Sequence, residues 1–415
     1  MIDFSFRQQL LTFFLLFGLL LLLVPRAGFD GDVGCWVNWS TYTFEHGLGN
    51  VYQISDNNYN PLYHYFLWLF GQLCGSAAAI NRNRHWLKAF TLVFDFAGAF
   101  WAASVVPERT RRFGLALLLL VNIAYLYDTL IWEQVDAIYS VLSFGAVLLA
   151  VRQRAVGSLL LFGLALAAKT QAIMFLPTLL LLWGPLWWRR PTRLVWSLLA
   201  GAALGTLILA PFIWGSWENY LPRIITINIE AANKNPFLSM NCFNLWHWVA
   251  YDYTASWGPD TQVVAGLSYH HWGLLLFAGS LALALVPLLR EFIRRLRGKT
   301  DTGPTLLLTL LSTGLVPLLF AFFNTQMHER YWHGSLLFLA SYAFLSRNYW
   351  PFALVSVAYF LNLEATLHFL DLHNYKVLIF NSRFVAGIFA LAIVLSFISL
   401  YRLAARPTPP VASAA

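Results

Sequence analysis

Charge is what this chain has least of. Of its 415 residues, 11% are Asp, Glu, Lys or Arg, and the acids number 19. A soluble domain carries about a quarter charged residues, so a large soluble enzyme held by one anchor is excluded. Cysteine is scarce as well. Cys35, Cys74 and Cys242 lack metal-ligand spacing, and an odd count excludes a complete disulfide framework. No repeat, heptad or low-complexity tract is visible, apart from a Pro/Ala-rich stretch at 407–415 that is expected to be disordered.

What is present is apolar surface. Hydrophobic residues make up 59% of the chain, and the mean hydropathy is +0.61. A helix of about 20 apolar residues spans a bilayer, so twelve spans need about 240 residues and leave loops to spare. The net charge of +8 sits in short clusters between apolar segments. That pattern fits loops on the cytoplasmic face and argues against nucleic-acid binding. The first apolar run, Leu10 to Val24, is followed by Pro25 and Arg26 and not by a small-residue cleavage site, which predicts a retained first span.

The basic clusters also set the parity of the spans. Thirteen apolar segments can be drawn. From residue 88 onward a basic loop follows every second one: Arg109/Arg111/Arg112, Arg152/Arg154, Arg189/Arg190/Arg193, the group from Arg290 to Lys299, Arg347, and finally Arg402. All share one face if each of these segments crosses. Arg7 belongs on the same face, so segment 61–80 cannot cross and is expected to lie in the outer interface or to re-enter it. Its Tyr63, His64, Tyr65, Trp68 and Gln72 suit an interfacial helix. The expected fold is an all-α polytopic membrane protein with about twelve transmembrane helices. Both ends lie inside, and two long loops, 26–87 and 214–271, lie outside.

With this topology the unusual polar clusters meet on the outer face. Asp30 and Asp32 stand in Gly28-Phe29-Asp30-Gly31-Asp32-Val33-Gly34, as helix caps or as a carboxylate poised for general-base work. Asp128, Glu133, Gln134 and Asp136 crowd one short loop. Lys169 ends another span, where an ammonium can snorkel or bind an anion. Asn324 to His333 contains Met327-His328-Glu329-Arg330-Tyr331. Its two histidines, His328 and His333, are five apart and so lack the i, i+4 spacing of a helical zinc pair. Arg330 offers a fixed fork of donors suited to phosphate oxygens. Asp95, seven residues after Lys88 on one helical face, is expected to face the bundle interior and to have a partner there.

Together these clusters resemble the GT-C superfamily of membrane glycosyltransferases, which use polyprenyl-phosphate-linked sugars. Gly31-Asp32 with Trp39 seven residues on looks like the family's Gly-Asp opening. Asn58-Tyr59-Asn60-Pro61-Leu62 looks like its Tyr-Pro-Pro-Leu element, with Asn60 in place of the first proline. Trp132-Glu133-Gln134-Val135-Asp136 resembles an outer-loop motif built round a Gln. The Asp128-to-Gln134 spacing is one residue longer than in the glucosyltransferase branch. Lys169-Thr170-Gln171 through Pro177 resembles a Lys-Gln…Leu-Pro element, again with one extra residue. Phe243-Asn244-Leu245-Trp246 and Met327-His328-Glu329-Arg330-Tyr331 are most similar to bacterial proteins like the second GPI mannosyltransferase. The pair Lys88 and Asp95 matches a basic–acidic pair at the same interval, and the resemblance covers most of residues 28–335.

The resemblance implies inverting transfer of a hexose, mannose first and glucose next, from a polyprenyl-phosphate carrier. The acceptor is a hydroxyl of a lipid-linked glycan, a glycolipid or a protein. Asp32, with Asp30 second, is the expected base. Arg330, Lys169 and His328 are expected to hold the donor phosphate. Gln134, Glu133, Asp136, Glu329, Tyr331, Asn244 and Trp246 are expected to contact the substrates. No metal or other cofactor is needed to hold a single lipid phosphate. The expected location is a bacterial inner membrane with a periplasmic site, or the endoplasmic reticulum with a lumenal one. A flippase or transporter for lipid-linked sugars is the rival class, although it would place polar groups at the midplane and show paired halves. A polysaccharide polymerase is the third possibility.

Overall fold

The computed structural model describes residues 5–23, 28–231, 235–250, 257–298 and 305–405. Residues 407–415, Pro25, Arg26 and Lys299 lie outside this set. The described chain is almost entirely helical. Helix α1 (Phe6–Leu23) is followed by α2 (Asp30–His46), α3 (Pro61–Cys74) and α4 (Ala77–Asn83). Next come α5 (Lys88–Ser104), α6 (Arg109–Leu120), α7 (Ile123–Tyr127), α8 (Asp136–Val151) and α9 (Ala155–Ala168). Then follow α10 (Leu176–Arg189), α11 (Pro191–Ile213), α12 (Leu221–Glu230) and the short α13 (Trp246–Val249). The chain closes with α14 (Tyr269–Leu296), α15 (Leu306–Phe323), α16 (Leu336–Ser346), α17 (Trp350–Leu367) and α18 (Ser382–Ala404). The one sheet among the described residues is a hairpin of β1 (Val263–Val264) and β2 (Leu267–Ser268), in register Val263 to Ser268. Ala265 and Gly266 both take positive φ at its two-residue turn, as the right-handed twist of the strands favours.

Seven of the helical segments are long and apolar enough to cross a membrane. An eighth is added if the bent pair Arg109–Leu120 and Ile123–Trp132 counts as one span. The chain is therefore a polytopic α-helical membrane protein. The bend of 57° has a local cause: the Asn122 side chain accepts from the amides of Ala124 and Tyr125, which ends α6 and starts α7. Helices apolar all round are either core or lipid-facing, and this chain has both kinds. In α15, 78% of the spanning window is buried, whereas in α11 only 11% is. Helix α8 is buried along nearly its whole length, so α8, α15 and α16 form the centre.

Connectivity places the polar clusters at one end. Helix α8 begins with Asp136, turns at Arg152–Arg154, and α9 brings the chain back to Lys169. Asp136 and Lys169 touch, so they lie at the end opposite the basic turn. The first loop folds over this end. Helix α3 packs on α2 and stops at Gly75, whose left-handed φ of 74° is a position glycine suits. At 14 residues α3 is not among the helices long and apolar enough to cross a membrane.

Candidate active site

Asp32 is held by the loop that precedes α8. Its Oδ2 accepts from Gln134 Nε2 at 2.5 Å and from Trp132 Nε1 at 3.2 Å. Both bonds fall on one oxygen, which leaves Oδ1 open. Asp30, two residues earlier and on the other side of the helix, is exposed and takes no part. Neither acid caps α2, because its N-cap is Phe29 and has no side-chain bond; the capping role therefore gives way to the site role for Asp32. The loop reaches Asp32 through an unusual backbone path. Asp128–Trp132 forms a π-helical turn and Glu133 follows at φ 64°. A π turn takes up one residue more than an α-helical turn, and such turns are frequent at functional sites.

Glu133 and Gln134, neighbours in sequence, diverge. The Glu133 carboxylate receives Lys88 Nζ at 2.7 Å and His85 Nδ1 at 3.0 Å, while Lys88 also donates to the Leu130 carbonyl. Burial raises the Glu133 pKa against the pull of Lys88 and His85. Gln134 faces Asp32 and accepts the Tyr59 hydroxyl at 3.2 Å. Lys88 turns to Glu133. Asp95 is fully buried, as expected, with the Thr129 side chain as its polar neighbour.

On the other side of Tyr59 lies a cavity of about 170 Å³ whose lining includes Tyr59, Lys169, Gln171, His328, Arg330 and Tyr331. Lys169 Nζ meets Asp136 Oδ1 at 2.5 Å, and Arg330 Nε lies 3.6 Å from Asp136 Oδ2. Arg330 Nη1 reaches Glu329 Oε1 at 3.2 Å. Two cations thus face two acids. Burial works against the Arg330 charge, but Asp32, Glu329 and Asp136 together hold its pKa well above the ordinary arginine value. Burial raises Glu329 to about 7 even though Arg330 pulls it down. His328 lines the same cavity, with Nδ1 at 3.9 Å from Glu329 Oε2. Tyr331 receives a hydrogen bond from Gln171 at 3.0 Å.

A larger apolar groove of about 470 Å³ runs between α9 and α11, past Leu159, Phe162, Leu166, Leu204 and Ile208. It shares Asn60 with the polar cavity. Asn60 bonds the Leu166 carbonyl at 2.6 Å and Asn228 at 2.9 Å, and Thr170 bonds Asn228 at 2.6 Å. These amides tie α3, α9 and α12 together at the groove's mouth.

The structure therefore brings together Asp32, Gln134, Asp136, Lys169, His328, Glu329, Arg330 and Tyr331. Asn244 and Trp246 stand apart. Asn244 is buried and bonds the Ala321 and Asn324 carbonyls, while Trp246 bonds the Phe323 carbonyl. They brace the end of α15 and do not line the cavity. His333 is buried and stacks on Tyr125. Sequence reasoning gave no role to Tyr59 or Trp132, which lie inside motifs singled out above; Asn228, in the outer loop expected to help bind the acceptor, lines both the groove and its mouth. Among the described residues, no three His, Cys, Asp or Glu side chains come together as metal ligands. No protein-family model matches the chain, and no curated protein matches its sequence.

Proposed function

We propose that the protein is an inverting glycosyltransferase of GT-C type that moves a hexose, mannose or else glucose, from a polyprenyl phosphate to an acceptor hydroxyl. The observation that carries this reading is the arrangement around Tyr59. On one side is a carboxylate with one oxygen held and one open; on the other, a Lys–Arg pair in a cavity that shares Asn60 with an apolar groove. The groove suits a lipid chain, the two cations its phosphate, and the open Oδ1 an acceptor proton.

In the proposed step Asp32 takes the hydroxyl proton as the acceptor oxygen attacks the anomeric carbon. The bond from that carbon to the phosphate oxygen breaks, and its electron pair leaves on the phosphate. Arg330 and Lys169 offset the growing charge, which is where preorganised cations contribute most. Gln134 and Trp132 fix the base, and Asp136 aligns the two cations.

Twelve spans suit this reading. The seven long helices are joined by the bent pair, by the shorter apolar helices Phe6–Leu22, Asp136–Val151 and Ala155–Ala168, and by α16. The site end then faces outward, to a bacterial periplasm or to the endoplasmic reticulum lumen. The test is direct. Purified protein is incubated with synthetic polyprenyl-phosphate mannose or glucose and a lipid extract, and released polyprenyl phosphate is measured. Release that needs both the extract and Asp32 supports the reading; no release from either donor overturns it.

A further inference from the structure

A basic cluster also lies on the site side of the bundle. Helix α4 and the turn Arg84–Leu87 carry Arg82, Arg84, His85 and Lys88 to the same end as the site, opposite the basic loops. The acid seen in contact with them is Glu133, which already receives Lys88 and His85. Arg84 Nε donates to His85 Nε2 at 3.2 Å. That bond makes Nε2 an acceptor and leaves the ring proton on Nδ1 for Glu133, an assignment made from the hydrogen-bond network. Lys88 is thus offset by Glu133, while no carboxylate among the described residues pairs with Arg82 or Arg84. Arg82 is exposed.

Arg82, Asn83, His85, Trp86 and Lys88 border a small cavity, which the end of α1 closes with Leu21 and Leu22. Its volume is about 110 Å³, which is room for a phosphate group. Arg82, His85 and Lys88 make one wall cationic, Arg84 stands behind His85, and the other wall is apolar. Trp86, 44% exposed beside it, suits the headgroup level of a bilayer. The cavity lies on the Asp32 flank. Glu133 immediately precedes the Gln134 that holds Asp32, and a Cβ added at Gly28 would come within 3.0 Å of Glu133 Oε2. Lys169 and Arg330 line a separate cavity.

We propose that the cavity between the end of α1 and the Arg84–Leu87 turn is a second anion site, which binds the phosphate of a lipid other than the sugar donor. Read with the proposed transfer, on which this clause depends, that lipid is the acceptor, and the acceptor sugar is carried on a lipid phosphate. Two phosphates then flank one base, each with its own cations and its own apolar wall. The binding claim does not depend on the chemistry.

The probe is short-chain phosphatidic acid, titrated into the purified full-length protein and read by native mass spectrometry, with phosphatidylcholine of the same chain length as control. Measured in an Arg330→Gln background, which mutes the donor cavity, Arg82→Gln/Arg84→Gln is expected to weaken phosphatidic acid at least tenfold. Arg82→Lys/Arg84→Lys should retain most of the binding. In the unmutated protein, a photoactivatable phosphatidic acid should crosslink within 77–88 and the end of α1. Equal affinity with and without the two arginines, or crosslinks confined to other segments, overturns the site. Displacement by equimolar inorganic phosphate overturns its assignment to a lipid. A protein that binds the probe through these arginines yet releases no sugar defeats the glycosyl-transfer reading and leaves this site standing.

Discussion

Glu133 and Gln134 send adjacent side chains to opposite duties, and the left-handed backbone of Glu133 is what parts them. Its carboxylate, 5% exposed, is anchored by a Lys88 that is 4% exposed. Removing one partner of a buried pair typically costs about 3–5 kcal/mol, because the other charge is left without compensation. Lys88→Met should therefore lower the thermal midpoint markedly and loosen the Asp32 contact. Lys88→Met/Glu133→Gln, which removes both charges, should recover most of the midpoint. Melting curves of the detergent-solubilised variants check this; a single variant as stable as the double would mean the pair does not hold the loop.

Asp32 and Asp30 separate cleanly in the structure. Asp32→Asn keeps the shape of the side chain and loses the proton acceptor, which should cut turnover by about 10²–10⁴ while donor affinity stays within a few-fold. Asp30→Asn, out on the exposed side of α2, should change turnover little. Single-turnover rates with donor bound in advance make the comparison. Comparable losses in both variants would remove the assignment of Asp32 as base.

The sequence announced the clusters but not their pairings. Parity of the basic loops sufficed to put Asp32, Gln134, Lys169 and Arg330 on one face, because a charge cluster biases which side a loop can occupy. Which carboxylate meets which cation depends on helix rotation and on the π turn at Asp128–Trp132, and spacing alone reports neither. Lys88 illustrates the limit: its place at the start of α5 is legible, but its partner Glu133 arrives from another loop. Asn244 and Trp246 show the converse, polar and aromatic groups whose work is to satisfy the backbone at the end of α15.

Helix α3 tests the topology. If it lies along the interface, cysteines placed at exposed Asp56 and exposed Asn81, on either side of it, react with the same impermeant reagent from the same side. In sealed vesicles both should label together, or both should be protected together. Labelling of one alone would send α3 across the bilayer and split Asp32 from Lys169.

Glu329 gives the site its pH dependence. Burial sets its carboxyl near 7, so it changes charge within the working range. Above 7 it is ionised, holds Arg330 at 3.2 Å and repels an incoming phosphate. Below 7 it is neutral, and the full charge of Arg330 is available to the donor. A phosphodiester keeps its single charge throughout, so the titration belongs to the protein. Donor binding should therefore tighten as pH falls from 8 to 6, with a slope of up to about tenfold per pH unit above 7 if the neutral form binds far better. Glu329→Gln should bind donor at pH 8 as the unaltered protein does at pH 6. His328 lines the same cavity with its ring 3.9 Å from the Glu329 carboxylate, so His328→Gln is measured in parallel. A dependence that persists in Glu329→Gln and vanishes in His328→Gln would move the switch to the histidine; one that persists in both would place it outside the Arg330 pocket.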